Sequence, residues 1–154
     1  MNRPIFGSNP VNSSLVQVEV LCVSKYPESA TRPFLWEGFT IAHDKVLAAR
    51  PKGEVWISGD FVVDHEDPDF AQVHLRIRPG AITPEIDELL SYLNEDKTTE
   101  KLGCDFTSLI EVPEGDPAFQ IINEAAELFF NEFTEHEEGE KKGFPIIEHF
   151  GSDE

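Results

Sequence analysis

The sequence predicts an α/β (α+β) domain, a mixed β-sheet flanked by helices, and three observations carry that prediction. Segments with helical spacing of apolar residues alternate with short β-rich runs. Most prolines and glycines fall between those segments, where a chain turns. The 154 residues, 40% of them hydrophobic, are enough to close one core.

Residues 1–14, rich in Pro, Asn, Ser and Gly, read as an irregular arm. A single domain is expected over 15–150, with an acidic tail at 151–154. Leu15 to Val23 contains Val16, Val18, Val20 and Val23, a β-branched composition that predicts a strand closed by Pro27. Thr31-Arg32-Pro33 reads as a helix start with Thr31 as N-cap and proline in the first turn. Leu35, Phe39, Ala42, Val46 and Ala49 then recur at spacings of three or four, predicting one helix over 32–49 that Pro51 and Gly53 end.

A strand is predicted at Glu54–Ser58 and another at Gln72–Arg78. In the second, Val73, Leu75 and Ile77 alternate with His74, Arg76 and Arg78, the pattern of a strand with one buried face, which places His74 at or near the surface. Thr83-Pro84 opens a helix with Ile86, Leu89, Leu90 and Leu93 as its stripe. Cys104 to Val112 reads as a third core strand. Asp116-Pro117 caps a helix in which Ala118, Ile122, Ala125, Phe129 and Phe133 share a face. The acidic run Glu135–Glu140 is expected to be a loop, and Phe144 to Phe150 a last strand.

The net charge of −18 bounds the function most strongly. It opposes attraction to nucleic acid or anionic lipid, so no direct binding to either is expected. Residues 1–110 carry 17 acidic against 10 basic residues, and residues 111–154 carry 13 against 2, so the excess is steepest at the C-terminal end. Such a surface is either solubilising or a docking face for a basic protein. No apolar run approaches the roughly 20 residues of a membrane span, and residues 1–8 hold no apolar stretch of a signal peptide, so a cytoplasmic setting is expected. Cys22 and Cys104 lie far apart without metal-ligand spacing and read as small core residues. His43, His65, His74, His136 and His149 form no i, i+4 pair, Trp36 and Trp56 read as core, and Arg76 and Arg78 as salt-bridge donors.

One stretch points to chemistry. Gly53-Glu54-Val55-Trp56-Ile57-Ser58-Gly59-Asp60 reads as a strand and a glycine turn, and Asp64 to Asp69 as an acidic loop before the next strand. With Arg32-Pro33-Phe34-Leu35, Glu66-Asp67-Pro68-Asp69 and Glu140-Lys141-Lys142-Gly143-Phe144-Pro145-Ile146, this layout resembles the small bacterial nucleotidyltransferase-like proteins of the DUF6932 group over most of the chain beyond residue 25. The resemblance implies a nucleotidyltransferase-like sheet, a Gly-Ser turn for triphosphate, and an Asp-x-Asp pair with a third carboxylate for metal. Nucleotidyl transfer needs such carboxylates to clamp divalent ions that stabilise the attacking and leaving oxygens. Carried over, the turn falls on Gly59-Asp60, the Asp-x-Asp on Phe70-Ala71-Gln72, and the third carboxylate on Asp105. One ligand of three remains, and Asp60 adds negative charge where a triphosphate would sit.

The expected protein is therefore a catalytically inactive nucleotidyltransferase-like module with no cofactor. Its acidic surface would engage a basic protein partner, by analogy with antitoxins and immunity proteins. An enzyme using Mg²⁺ on Asp105 with Asp67 or Asp69 is the alternative. Asp67-Pro68-Asp69 lies three residues early, a displacement of about 10 Å in extended chain. An acidic mimic of nucleic acid on an unrelated fold is the third reading. The cluster Asp60, Asp64, Glu66, Asp67 and Asp69 lacks the spacing of a calcium-binding EF-hand loop.

Overall fold

Five strands, β1 (Val11–Asn12), β2 (Gly53–Ser58), β3 (Ala71–Ile77), β4 (Cys104–Ile110) and β5 (Pro145–His149), form one mixed sheet in the order β1-β5-β2-β3-β4. The computed structural model describes residues 3–80, 82–136 and 139–149. The expected acidic tail at 151–154, Phe150 of the last strand, and Glu137 and Glu138 of the acidic run lie outside the described residues. β2 runs antiparallel to both β3 and β5, β3 parallel to β4, and β1 parallel to β5. The α/β reading holds, and the predicted strands at 54–58 and 72–78 are neighbours.

Helices cover both faces. On one face lie α1 (Leu15–Glu19), α2 (Arg32–Ala49), α3 (Pro84–Leu93) and α4 (Asp96–Leu102); α5 (Phe119–Thr134) covers the other. Because side chains alternate along a strand, Val55, Ile57, Val73, Leu75, Phe106 and Ile147 pack with Leu35, Phe39, Ala42 and Val46 of α2. Trp56 points the opposite way and packs with Phe133 and Phe144 under α5. α2 and α4 approach so closely that a Cβ on Gly38 would run into the Leu102 carbonyl. No helix among the described residues is long and apolar enough to cross a membrane.

Four expectations are corrected. Leu15–Val23 is helical: α1 continues as a π-helical turn over Val20–Ser24. The Ser14 hydroxyl accepts from the Gln17 amide at 3.1 Å while the Gln17 side chain accepts from the Ser14 amide at 2.8 Å. That reciprocal cap starts a helix, and burial of Val18 and Cys22 outweighs the β preference of the valines. α4 was not anticipated, because only Thr98 and Leu102 of it are buried and no apolar stripe marks it. β3 is buried on both faces, not one, because α5 covers His74 and Arg76. The arm before residue 15 is not merely irregular: β1 lies in it, Pro4 bridges Val63, and Phe6 joins the core.

Candidate functional site

β2 ends, and β3 and β4 begin, at one end of the sheet, here called its head. Register aligns Ser58, Gln72 and Asp105 in one row across the three strands. α5 also ends here, and the Ser58 hydroxyl donates to the Phe133 carbonyl at 2.8 Å. Gly59 leaves β2 with φ +83°, a left-handed conformation that glycine adopts without strain. A short 3₁₀ turn, Gly59–Val62, follows. The Gln72 amide donates to a Glu132 carboxylate oxygen at 3.4 Å. Asp105 is exposed beside it, and Phe70 is 42% exposed. The row on which the Asp-x-Asp and the third carboxylate were placed thus carries Gln72, Asp105 and, from α5, Glu132.

Asp60 sits in the turn with its Oδ2 at 4.0 Å from His65 Nδ1. Buried Lys142 lies in its electrostatic reach and donates to the Glu135 carbonyl at 2.6 Å. Burial lowers the Lys142 pKa, and Asp60 and Glu135 push it back up. The other carboxylates of the acidic loop disperse. Asp64 accepts from the Tyr26 hydroxyl at 2.9 Å. Asp67 accepts from the Ala30 amide at 2.7 Å and the Ser29 hydroxyl at 3.0 Å, and these bonds hold its carboxyl below the usual carboxylate range. Asp69 is exposed. Asp67 therefore turns toward the start of α2. Among the described residues no three His, Cys, Asp or Glu side chains gather to hold a metal ion.

The same loop is fastened by Arg32, which is fully buried. Its Nε donates to the His65 carbonyl, Nη1 to those of Cys22 and Phe61, and Nη2 to those of Val63 and His65, at 2.6–3.1 Å. The guanidinium lies 4.0 Å from the Tyr26 ring centre. Thr31 occupies the N-cap position of α2 but makes no side-chain cap; the Ser29 hydroxyl accepts from the Arg32 amide instead.

Under α5, sequence reasoning missed a buried polar pair. His74 is 0% exposed, its ring tilted against those of Phe129 and Trp56. Arg76 Nε can only donate, so His74 Nε2 accepts at 3.1 Å. The ring proton therefore sits on Nδ1 and is donated to Thr107 Oγ1 at 2.8 Å. Burial, helped by Arg76, pushes the His74 pKa down to about 3, so the ring is neutral. Arg76 lies 4.4 Å above the Trp56 ring and 3.6 Å from Glu111. Arg78 pairs with Glu148 at 3.3 Å, the salt bridging read from the sequence. Both cysteines are buried with their thiols pushed up to about 12, inert core residues as expected. An open cleft of about 330 Å³ lies elsewhere, lined by Lys45, Ala48, Glu85, Glu88 and Tyr92.

Residues 9–148 match a family described as "Family of unknown function (DUF6932)". The chain belongs to the DUF6932 family. No curated protein and no solved structure gives a significant match. The DUF6932 match spans all five strands but for the last residue of β5, and every residue of the sheet head discussed above.

Proposed function

We propose that this protein is a catalytically inactive nucleotidyltransferase-like module that acts by binding a basic protein partner. The observation that carries the reading is the row at the sheet head. The order helix, strand, glycine turn, antiparallel strand, helices, parallel strand supports the nucleotidyltransferase-like core that the resemblance implies. On that frame Gln72 stands beside Asp105 where a pair of carboxylates would be required. Asp60 places negative charge in the phosphate turn, and Asp67 is committed to the start of α2. In this row Asp105 alone occupies a position where the resemblance implies a metal ligand, and Glu132, which arrives from α5, accepts from the Gln72 side chain. The net charge of −18 supplies the binding arm of the reading, because complementarity speeds encounter with a basic surface.

Calorimetric titration of Mg²⁺- and Mn²⁺-loaded nucleoside triphosphates tests the first half, with Asp105→Ala as control. The expected result is no saturable heat at millimolar nucleotide. Saturable binding that Asp105→Ala abolishes overturns the inactive reading and makes Asp105 a metal ligand.

A further inference from the structure

β4 forms one edge of the sheet. Among the described residues β4 pairs with β3 alone. The Glu111 amide donates to the Ile77 carbonyl, and the backbone groups of successive strand residues point to alternate sides. The N–H and C=O groups of Phe106, Ser108 and Ile110 therefore point away from β3, toward an unpaired edge. Such an edge is a template for a further strand, and proteins that do not use it blunt it with charge, proline or a bulge. β4, Cys-Asp-Phe-Thr-Ser-Leu-Ile, has one charge and no proline.

α5 packs on the adjoining face of the sheet and carries exposed apolar side chains. Phe130 leans to the β2 and β5 side, against Trp56 and Phe144. At about 100° per helical residue, Ile121 and Leu128 point the opposite way, to the β4 side. Glu132, on the same flank, reaches Gln72 of β3 and fixes that orientation. Ile121 and Leu128 are each 70% exposed, two turns apart on one stripe. Exposed apolar side chains beside an unpaired strand are the two halves of a strand-addition site. Main-chain bonds supply affinity there, and alternate side chains supply specificity.

The surrounding charge selects the occupant. α5 carries Glu124, Glu127 and Glu132 and no lysine or arginine, and Asp105 faces the same side of β4. A second copy of this chain would bring the same charges to the edge and be repelled, whereas a basic segment is attracted. We propose that β4 and the Ile121–Leu128 flank of α5 receive an extended, lysine- or arginine-bearing segment of a protein partner, which joins the sheet as a further strand. This rests on the binding-module reading and assigns its docking edge and the chemistry of its partner.

Fluorescence anisotropy of a dye-labelled peptide, about eight residues alternating lysine and valine, tests it against the full chain at low salt. Three changes probe the edge. Ser108→Pro removes one outward amide, a substitution edge strands tolerate. Leu128→Lys removes the apolar contact and adds repulsion. Backbone N-methylation of the peptide at alternate residues leaves the protein untouched and decides the matter even if Ser108→Pro fails to fold. Saturable binding weakened about tenfold or more by each change is expected, from lost main-chain and apolar contacts together. Binding indifferent to all three overturns strand addition while leaving an acidic binding module standing. No binding of either peptide at millimolar concentration overturns both readings. A dimer in light scattering that Ser108→Pro dissolves overturns the proposal in favour of a second copy.

Discussion

Replacing Arg32 with methionine removes every hydrogen bond of its guanidinium at little cost in side-chain length. Five N–H donors now serve four carbonyls, those of Cys22, Phe61, Val63 and His65. A buried acceptor left without a partner costs about 1–3 kcal/mol, so four of them set a ceiling of about 4–12 kcal/mol. Two terms reduce it. The charge no longer has to be desolvated, which returns several kcal/mol, and water enters as the loop relaxes. A net loss of about 3–5 kcal/mol follows, comparable to breaking other buried charge networks. At a urea slope of about 2 kcal/mol per molar, the unfolding midpoint should fall by about 1.5–2.5 M.

Urea titration followed by tryptophan fluorescence measures this directly, since Trp36 lies beside Phe61 on this face of the sheet. Arg32→Lys keeps the charge but loses the planar fork, and it should fall between wild type and Arg32→Met. A midpoint for Arg32→Met within about 0.5 M of wild type would refute the reasoning. The carbonyls of residues 61–65 would then be satisfied without the guanidinium.

Two further substitutions test the packing on either face of the sheet. His74 has a folded pKa near 3 against an ordinary 6.5, so the unfolded chain binds the extra proton and stability falls as pH drops below 6.5. Between pH 7.5 and pH 5 wild type should lose about 2 kcal/mol more than His74→Gln, read as urea midpoints at both pH values; equal losses would sink the assignment of a neutral buried ring. Gly38→Ala drives a methyl into the Leu102 carbonyl and should cost about 1–3 kcal/mol by forcing α4 off α2, and a thermal midpoint unchanged from wild type would show that the two helices separate freely.

What the sequence reveals depends on how local its cause is. α2 is legible because the apolar positions from Leu35 to Ala49 repeat at helical spacing, and that stripe packs on the sheet. The strand character of β3 is legible from its own alternation, but its second buried face is not. The cover over His74 comes from Phe129 and Phe133, more than fifty residues later. α1 is misread because four valines outweigh a capping box whose partners, Ser14 and Gln17, are themselves visible in the sequence. At the sheet head, register sets Gln72 beside Asp105, a placement that follows from two strands legible in the sequence. The arrival of Glu132 and Lys142 could not be read, since each is brought there by a tertiary contact. The Lys-Lys-Gly after the acidic run is the only local signal for Lys142.

The acidic loop between β2 and β3 shows why a carboxylate cluster in sequence is a poor guide to a metal site. Its residues alternate between two structural duties. The carbonyls of Phe61, Val63 and His65 turn inward to Arg32, at the first turn of α2. The side chains of Asp64 and Asp67 reach Tyr26, Ser29 and Ala30, in the segment that leads into the same helix. Both sets tie one loop to one helix start, and Asp67 also holds Ser29, whose hydroxyl accepts from the Arg32 amide in place of a Thr31 cap. Catalytic carboxylates would have to converge on a shared point and leave lone pairs free for metal. Here they diverge, and the best-bonded of them, Asp67, is directed at backbone. The loop that most resembles a catalytic element in sequence is a fastening in the fold. At the sheet head Asp105 remains exposed and Glu132 accepts from the Gln72 side chain, beside the unpaired edge of β4.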